Sequence, residues 1–208
     1  ITVSANSAFV YVTNQGGANT VSAFRVNGTT GELTVVAGSP FAAGTTPNAV
    51  TVSPNGNFLY VANGGGNVSA YTITVGTGAL TPVAGSPFAA GTTPNAVTVS
   101  PNGNFLYVAN GGGNVSAYTI TVGTGALTPV AGSPFAAGTT PNAVTVSPNG
   151  NFLYVANGSS DNVSTFTIDG ATGALTSPAT IAAGTSPSGV SIEPNGLLLY
   201  VANSGSND

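Results

Sequence analysis

The hydrophobic residues of the chain fall into short runs that recur at a fixed interval. Residues 36–111 return unchanged 47 positions later as residues 83–158. Within one unit, runs at 49–53, 58–62 and 68–73 are rich in β-branched and aromatic residues. A fourth run begins at Leu80 and carries Pro82, and proline lacks the N–H that a central strand needs. The pattern therefore predicts four strands per unit, with the fourth at a sheet edge.

The polar segments between these runs predict how the strands pair. Residues 53–57 read Ser-Pro-Asn-Gly-Asn, which suits a tight reversal because Pro fits the first corner and Asn-Gly accepts positive φ. Runs two and three are joined by Asn-Gly-Gly-Gly-Asn at 63–67, and runs three and four by a Thr-Gly turn. Consecutive strands are expected to be antiparallel, so each unit is a meander.

The second run is apolar on both faces, with Phe58 and Tyr60 on one side and Leu59 and Val61 on the other. One meander cannot bury both faces, so the units must stack. Radial stacking gives a β-propeller, whose repeats are roughly 40 to 50 residues long. A solenoid of parallel coils is the alternative, and the tight reversals disfavour it. We predict an all-β β-propeller built of 47-residue four-stranded antiparallel blades.

The repeat predicts where the blades lie within a single propeller array, 1–208. Four complete blades are expected at 1–41, 48–88, 95–135 and 142–182, and residues 189–208 supply the first two strands of another. A half blade leaves a sheet edge without a partner. We therefore expect self-association, or a longer parent chain, to complete the ring.

The composition excludes several classes of partner and of chemistry. Charged residues make up 3% of the chain, and Arg25 is its one basic side chain, so binding to nucleic acid is not expected. No apolar run approaches the roughly 20 residues that span a bilayer, so membrane insertion is not expected. His, Cys and Lys are absent, which removes the usual general bases and activated nucleophiles. On these grounds the chain is predicted to be no enzyme, without catalytic residues, metal ligands or cofactors.

The few acidic residues have simple structural interpretations. Asp169 occupies the reversal between strands three and four, where Asp commonly forms turns. Glu32 is expected to form a weak surface ion pair with Arg25 across one hairpin. Asp161 and Asp208 follow second strands, where loop oxygens offer a calcium site as the alternative to a solvated loop.

Asparagine supplies the candidate modification and ligand sites. The Asn-x-Ser/Thr pattern of glycosylation acceptors occurs at five positions, which are Asn27, Asn67, Asn114, Asn157 and Asn162. The loops that lead from strand four to strand one carry Thr and Asn, and they are expected to line one mouth of the propeller. The candidate ligand rim consists of Asn48, Asn95 and Asn142.

One recurring motif resembles a known family. Pro-Asn-Gly-x-x-Leu-Tyr-Val-Ala-Asn is followed by Asn-Val-Ser and by a Thr-Gly-x-Leu turn. The motif resembles the YVTN-type β-propeller repeat of surface-layer and other secreted proteins, and more distantly the lactonase-like seven-bladed propellers. The resemblance implies a propeller fold and an extracellular or cell-surface location. The lactonases rely on charged side chains in a central pocket, and no unit here supplies their set of His, Arg and Glu.

These observations together predict a non-catalytic extracellular or cell-surface scaffold, structural or adhesive, with self-assembly as a further expectation. The alternative is a propeller module that binds carbohydrate or peptide at the asparagine rim.

Overall fold

The computed structural model describes residues 1–206, which form twenty-one β-strands. Within this range no helix has the length and apolarity needed to cross a membrane. The strands assemble into four sheets of four or five strands, followed by one sheet of two. The predicted all-β architecture of repeated antiparallel blades is confirmed.

The sheets follow one another in chain order. Sheet 1 contains β1 (Thr2–Val3), β2 (Phe9–Asn14), β3 (Thr20–Val26), β4 (Leu33–Val35) and β5 (Phe41–Ala42). Sheet 2 contains β6 (Pro47–Val52), β7 (Phe58–Asn63), β8 (Asn67–Ile73), β9 (Leu80–Pro82) and β10 (Phe88–Ala89). Sheet 3 contains β11 (Pro94–Val99), β12 (Phe105–Asn110), β13 (Asn114–Ile120), β14 (Leu127–Pro129) and β15 (Phe135–Ala136). Sheet 4 contains β16 (Pro141–Val146), β17 (Phe152–Asn157), β18 (Asn162–Ile168) and β19 (Leu175–Ala182). Sheet 5 contains β20 (Pro187–Ile192) and β21 (Leu199–Asn203).

The sheets are arranged around a common axis. We call β1, β6, β11, β16 and β20 the first strands, and number the second and third strands of each sheet accordingly. The first strands of successive sheets contact one another, β6 with β11, β11 with β16 and β16 with β20. They therefore line the axis, and the fourth strands lie at the outside. This is the β-propeller arrangement that the repeat predicts.

The second strands are buried on both faces, as their sequence pattern indicates. Every residue of β7 is buried. Phe58 and Tyr60 belong to the hydrophobic core between sheets 2 and 3, while Leu59 and Val61 belong to the core between sheets 1 and 2. Burial of each such side chain contributes roughly 1.5–3 kcal/mol relative to exposure. Stacking of the sheets is therefore the main source of stability.

A repeated polar contact fixes neighbouring sheets in register. The Tyr60 hydroxyl donates to the carbonyl of Gly125, in the turn after the third strand of the next sheet, at 3.1 Å. The ring of Phe58 packs directly against the same glycine. The same bond joins Tyr11 to Gly78 at 3.0 Å and Tyr107 to Gly173 at 3.1 Å. We call this contact the tyrosine–glycine clasp.

The outer edge of the sheets differs from the sequence prediction. The fourth strand is split in sheets 1 to 3, so that Leu80–Pro82 and Phe88–Ala89 pair separately with β8. Between them the chain turns away at Gly85, whose φ is +84°, and the Ser86 hydroxyl accepts a hydrogen bond from Ala70 N–H at 3.0 Å. The serine thus satisfies a donor that a continuous strand would have paired. Sheet 4 has no such turn, and its fourth strand β19 runs unbroken.

The clasp predicts unequal effects of two otherwise similar substitutions. Gly125 and Gly31 occupy equivalent turns, and φ is +74° at both. A Cβ on Gly125 would overlap the ring of Phe58, whereas a Cβ on Gly31 would meet nothing within 4 Å. Both alanine variants share the backbone strain, so Gly125→Ala should lower the free energy of unfolding by a further ~1–3 kcal/mol through overpacking. Urea denaturation of the two variants measures the difference, and equal midpoints would contradict the proposed role of the clasp.

The buried tyrosines predict alkaline unfolding. Burial raises the pKa of Tyr11 from 10.0 to about 12, and burial also raises the pKa of Tyr60 and Tyr107. A raised pKa in the folded state means that the stability these groups contribute is complete below pH 10 and is lost as the pH rises toward about 12. Tyrosinate absorbance and circular dichroism should therefore change together above pH 10. Full tyrosinate formation near pH 10 with an intact fold would refute this prediction.

Candidate functional site

The predicted asparagine rim lies at the axial ends of the first strands. In sheets 2 to 5 the first strand begins with Pro-Asn or Pro-Ser, and its pairing with the second strand shifts by one residue at that point. In sheet 2, Pro47 pairs with Asn63 and Ala49 pairs with Ala62, so Asn48 is the extra residue of a β-bulge. The same shift occurs at Asn95, Asn142 and Ser188. Bulges redirect side chains out of the regular alternation of a strand and are common beside active sites.

Hydrogen bonds between sheets hold the rim amides in place. The Asn48 Nδ2 donates to the Pro94 carbonyl of the next sheet at 2.8 Å. Asn95 donates in the same way to Pro141 at 3.0 Å, and Asn142 donates to Pro187 at 3.1 Å. Each Nδ2 has two hydrogens, and that of Asn48 also donates to Asn95 Oδ1 at 3.5 Å, so among residues 1–206 a second donor remains at Asn95 and Asn142. The structure therefore brings together the three predicted rim residues as a fixed, half-buried set of neutral donors.

A strained residue precedes each rim position. Thr46, Thr93, Thr140 and Ser186 stand two residues before the bulge, with φ between 52° and 55°. Positive φ is unusual for a β-branched residue such as threonine, and such strain is concentrated at functional sites. Sequence reasoning missed both the strain and the bulge. The sequence gives no local signal for the strain, because a residue before proline ordinarily adopts extended backbone with negative φ.

The asparagine that ends each second strand has a structural role instead. Asn63 is completely buried, and its Nδ2 donates to Asn67 Oδ1 at 2.7 Å and to Ser69 Oγ at 2.9 Å. Gly44 packs so closely on this amide that a Cβ would lie 2.5 Å from Nδ2. Asn110 and Asn157 make the equivalent bonds in sheets 3 and 4. This cluster ties the loop after the second strand to the segment that enters the same sheet, whose Gly44 N–H donates to Ser69 Oγ at 3.2 Å.

The carboxylates are dispersed over the two ends of the propeller. Asp169 Oδ1 accepts hydrogen bonds from Thr172 N–H and Ala171 N–H, both at 2.9 Å, so its predicted turn role is confirmed. Both bonds lower the pKa of the Asp169 carboxyl, and the bond from Thr172 N–H has the larger effect. Asp161 lies at the opposite end, on the loop 157–162, and its Oδ1 accepts from Ser186 N–H at 2.8 Å.

Two further expectations concern charged residues, and neither is confirmed. The predicted ion pair of Glu32 with Arg25 is wrong, because the guanidinium reaches to the neighbouring sheet and donates to Gly76 O at 2.7 Å. The Arg25 guanidinium also stacks over the Phe9 ring, 5.6 Å from its centroid. Asp208, the second candidate calcium ligand, lies outside the described residues. Within residues 1–206 no cluster of three or more side chains is suited to hold a metal ion.

The five glycosylation patterns differ in accessibility. Asn157 is completely buried, and Asn67, Asn114 and Asn162 are half-buried, with Oδ1 accepting a hydrogen bond from a neighbouring asparagine. Asn27 is exposed in the turn of sheet 1. Glycosylation stays a prediction, and Asn27 is the most accessible of the five sites.

The fold and its neutral rim define the chain as a propeller with an axial mouth lined by amides. A family model described as "Lactonase, 7-bladed beta-propeller" matches residues 1–94 and 83–180. The chain therefore belongs to this lactonase propeller family. A search of curated proteins gave no match.

Solved structures show the same fold. A candidate 6-phosphogluconolactonase from Bacteroides fragilis NCTC 9343 superposes with a TM-score of 0.81 at 22% identity, over 97% of this chain and 56% of that one. A similar candidate from Bacteroides uniformis ATCC 8492 gives 0.80 at 19% identity, over 97% and 56%. The periplasmic gluconolactonase PpgL of Pseudomonas aeruginosa gives 0.75 at 22%, over 89% and 54%. The chain thus spans about half the length of these relatives.

Family membership corrects the functional prediction. The expectation of a non-catalytic scaffold, with a carbohydrate- or peptide-binding module as its alternative, is wrong, and so is the expectation of no enzyme, because the family model and the three structures above carry lactonase names. That expectation rested on the absence of His, Cys and Lys. Their absence removes the commonest nucleophiles and bases, but ester hydrolysis by water needs only hydrogen-bond donors and an acceptor for one proton.

Proposed function

We propose that the chain forms part of a lactone-hydrolysing propeller whose substrate binds at the asparagine rim. The observation that carries this proposal is the placement of Asn48, Asn95 and Asn142 on bulges at the axial mouth of a lactonase-family fold. Fixed amide donors stabilise the negative charge that develops on a carbonyl oxygen when water attacks it. The hydrogen bonds between sheets keep these donors in position before substrate binds.

Asp161 is the carboxylate placed to activate water in this scheme. It lies exposed in the same loop as Gly158, which packs against the Asn142 amide. It also holds Ser186 N–H, two residues before the bulge at Ser188. In the reaction, water adds to the lactone carbonyl carbon while Asp161 accepts its proton. The ring C–O bond then breaks, and the released alkoxide takes up that proton, which yields the hydroxy acid.

The charge distribution favours an unphosphorylated sugar lactone. A phosphate group needs cationic or multiple backbone partners, and the chain has one basic residue. Arg25 is engaged with Gly76 O, in a turn between the third strand and the outer edge. That turn lies at the end of the propeller opposite the rim. Neutral amides and threonine hydroxyls suit the hydroxyl groups of a polyol ring instead.

Further blades of the same kind are proposed to complete the ring. Leu198 and Tyr200 of sheet 5 correspond to Phe58 and Tyr60, yet they are 53% and 57% exposed. At the other end, Val3 and Leu33 correspond to residues that pack against a preceding sheet, and they are 52% and 49% exposed. The two ends thus present complementary halves of the contact that joins sheets within the chain. Location outside the cytoplasm and the surface-layer type stay predictions.

Lactone hydrolysis is testable with two carboxylate-to-asparagine variants, because sheet 1 carries asparagine at the position equivalent to each carboxylate. Asp161→Asn should lower kcat/KM for glucono-1,5-lactone by about 10²-fold or more, because the proton acceptor is lost. Asn19 makes the equivalent backbone bond in sheet 1, so the fold should persist. Asp169→Asn is the matched control, since Asn27 caps the equivalent turn, and its activity should be unchanged.

Both variants are assayed in a pH-stat against spontaneous hydrolysis. Asn95→Ser serves as a rim variant, because Ser188 occupies that position in sheet 5, and we expect about a 10²-fold loss. The proposal fails if the chain gives no turnover above background, or if Asp161→Asn is as active as Asp169→Asn.

The complementary ends predict association of this chain with itself. Head-to-tail packing of sheet 5 on sheet 1 of a second copy would give particle masses that are multiples of 20.0 kDa in light scattering. Tyr200→Ser and Leu33→Ser should each shift the distribution toward the monomer, because each removes apolar area from the contact. Val122→Ser, at a residue 83% exposed in an outer turn, should not. A strictly monomeric wild-type chain at high concentration would refute this expectation.

A further inference from the structure

Four equivalent loop residues contact the segment that enters the next sheet. They follow the second strands, and their positive φ values are 49°, 94°, 92° and 50° at Asn19, Gly66, Gly113 and Asp161. In each case the backbone carbonyl accepts a hydrogen bond from an alanine N–H of the entering segment, at 2.8, 2.9, 3.0 and 2.9 Å. The backbone geometry is therefore the same in all four loops, and only the side chain differs.

Where this residue has a side chain, its oxygen binds a strained backbone N–H. Asn19 Oδ1 accepts from Thr46 N–H at 2.9 Å, and Asp161 Oδ1 accepts from Ser186 N–H at 2.8 Å. Both donors have a φ of 54°. A carboxamide in one loop and a carboxylate in another thus occupy the same place and make the same hydrogen bond.

Where this residue is glycine, the same N–H has no such partner. Thr93 and Thr140 have φ of 52° and 55°, and neither N–H makes a hydrogen bond within the described part of the chain. A pocket of about 390 Å³ opens at Thr93, lined by residues 64–66 and 90–93. A Cβ on Gly66 would meet only Gly91 O, at 3.7 Å. The space that a side chain fills in sheets 1 and 4 is therefore open here.

We propose that the pocket between Gly66 and Thr93, together with its copy between Gly113 and Thr140, binds the carboxylate or carboxamide group of a small ligand. One oxygen of that planar group accepts the hydrogen bond from Thr93 N–H, as Asn19 and Asp161 show for their own side chains. The donor is already fixed by the strained backbone, so no ordering of the loop is needed on binding. This subsite occupies in sheets 2 and 3 the position that Asp161 holds in sheet 4, and its binding test needs no lactone turnover, so it can fail or succeed independently of the proposed hydrolysis.

Acetate and acetamide are the appropriate probes, since they reproduce the ends of the Asp161 and Asn19 side chains. Each is titrated into the ¹⁵N-labelled chain at constant ionic strength. Saturable amide shifts in the millimolar range are expected at Thr93 and Thr140 and not at Thr46 or Ser186, whose N–H groups are occupied. Response to acetate alone would assign a carboxylate ligand, and response to both would assign the shared planar group.

Two reciprocal variants make the test specific. Gly66→Asn places at sheet 2 the residue that sheet 1 carries, so the Thr93 response should disappear while the Thr140 response remains. Asn19→Gly should create a new response at Thr46. The loss of the Thr93 signal in the first variant also assigns it among the identical repeats. The proposal is overturned if neither probe gives saturable shifts, or if Gly66→Asn leaves the Thr93 response intact.

Discussion

The contact between successive sheets is the interaction on which the rest of the structure depends. A second strand such as β7 has no polar face, so it is stable only when a neighbouring sheet covers each side. The tyrosine–glycine clasp adds direction to this burial, because a hydroxyl and a ring from one sheet meet a single glycine of the next. Hydrophobic burial alone would allow the sheets to slide. The clasp fixes sheets 1 to 4 against one another and so helps to position their first strands around the axis.

Because contacts between the sheets fix the backbone framework, the side chain at a single loop position can change without disturbing that framework. The loop residue after the second strand is Asn19, Gly66 or Asp161 in different sheets, and the backbone bond it accepts stays between 2.8 and 2.9 Å. The packing between sheets also holds the positive-φ residue at the start of the next sheet in its strained conformation. A repeat protein of this kind places equivalent sites at regular spacing, and the side chain at each decides whether the site is closed, open or charged.

Most of the fold follows from the sequence, and the functional detail does not. The first three strands of a unit were predicted to within two residues, because alternation, turn residues and the two-sided β7 are local signals. The break in the outer strand was missed, since it depends on Ser86 capping the Ala70 donor, a contact across the sheet. The rim residue Asn48 was predicted as a loop residue near a mouth, but its bulge arises from pairing with the second strand and cannot be read from spacing. The open pocket at Gly66 required comparison of loops that differ in length.

The functional prediction failed because it counted residue types rather than their arrangement. A chain without His, Cys or Lys lacks the commonest general bases and nucleophiles. A lactone is an ester, and its hydrolysis needs less: a polarised carbonyl, a positioned water and a transient acceptor for one proton. Amide donors held in place by bonds such as that of Asn95 to Pro141 can polarise the carbonyl. A single exposed carboxylate can accept the proton.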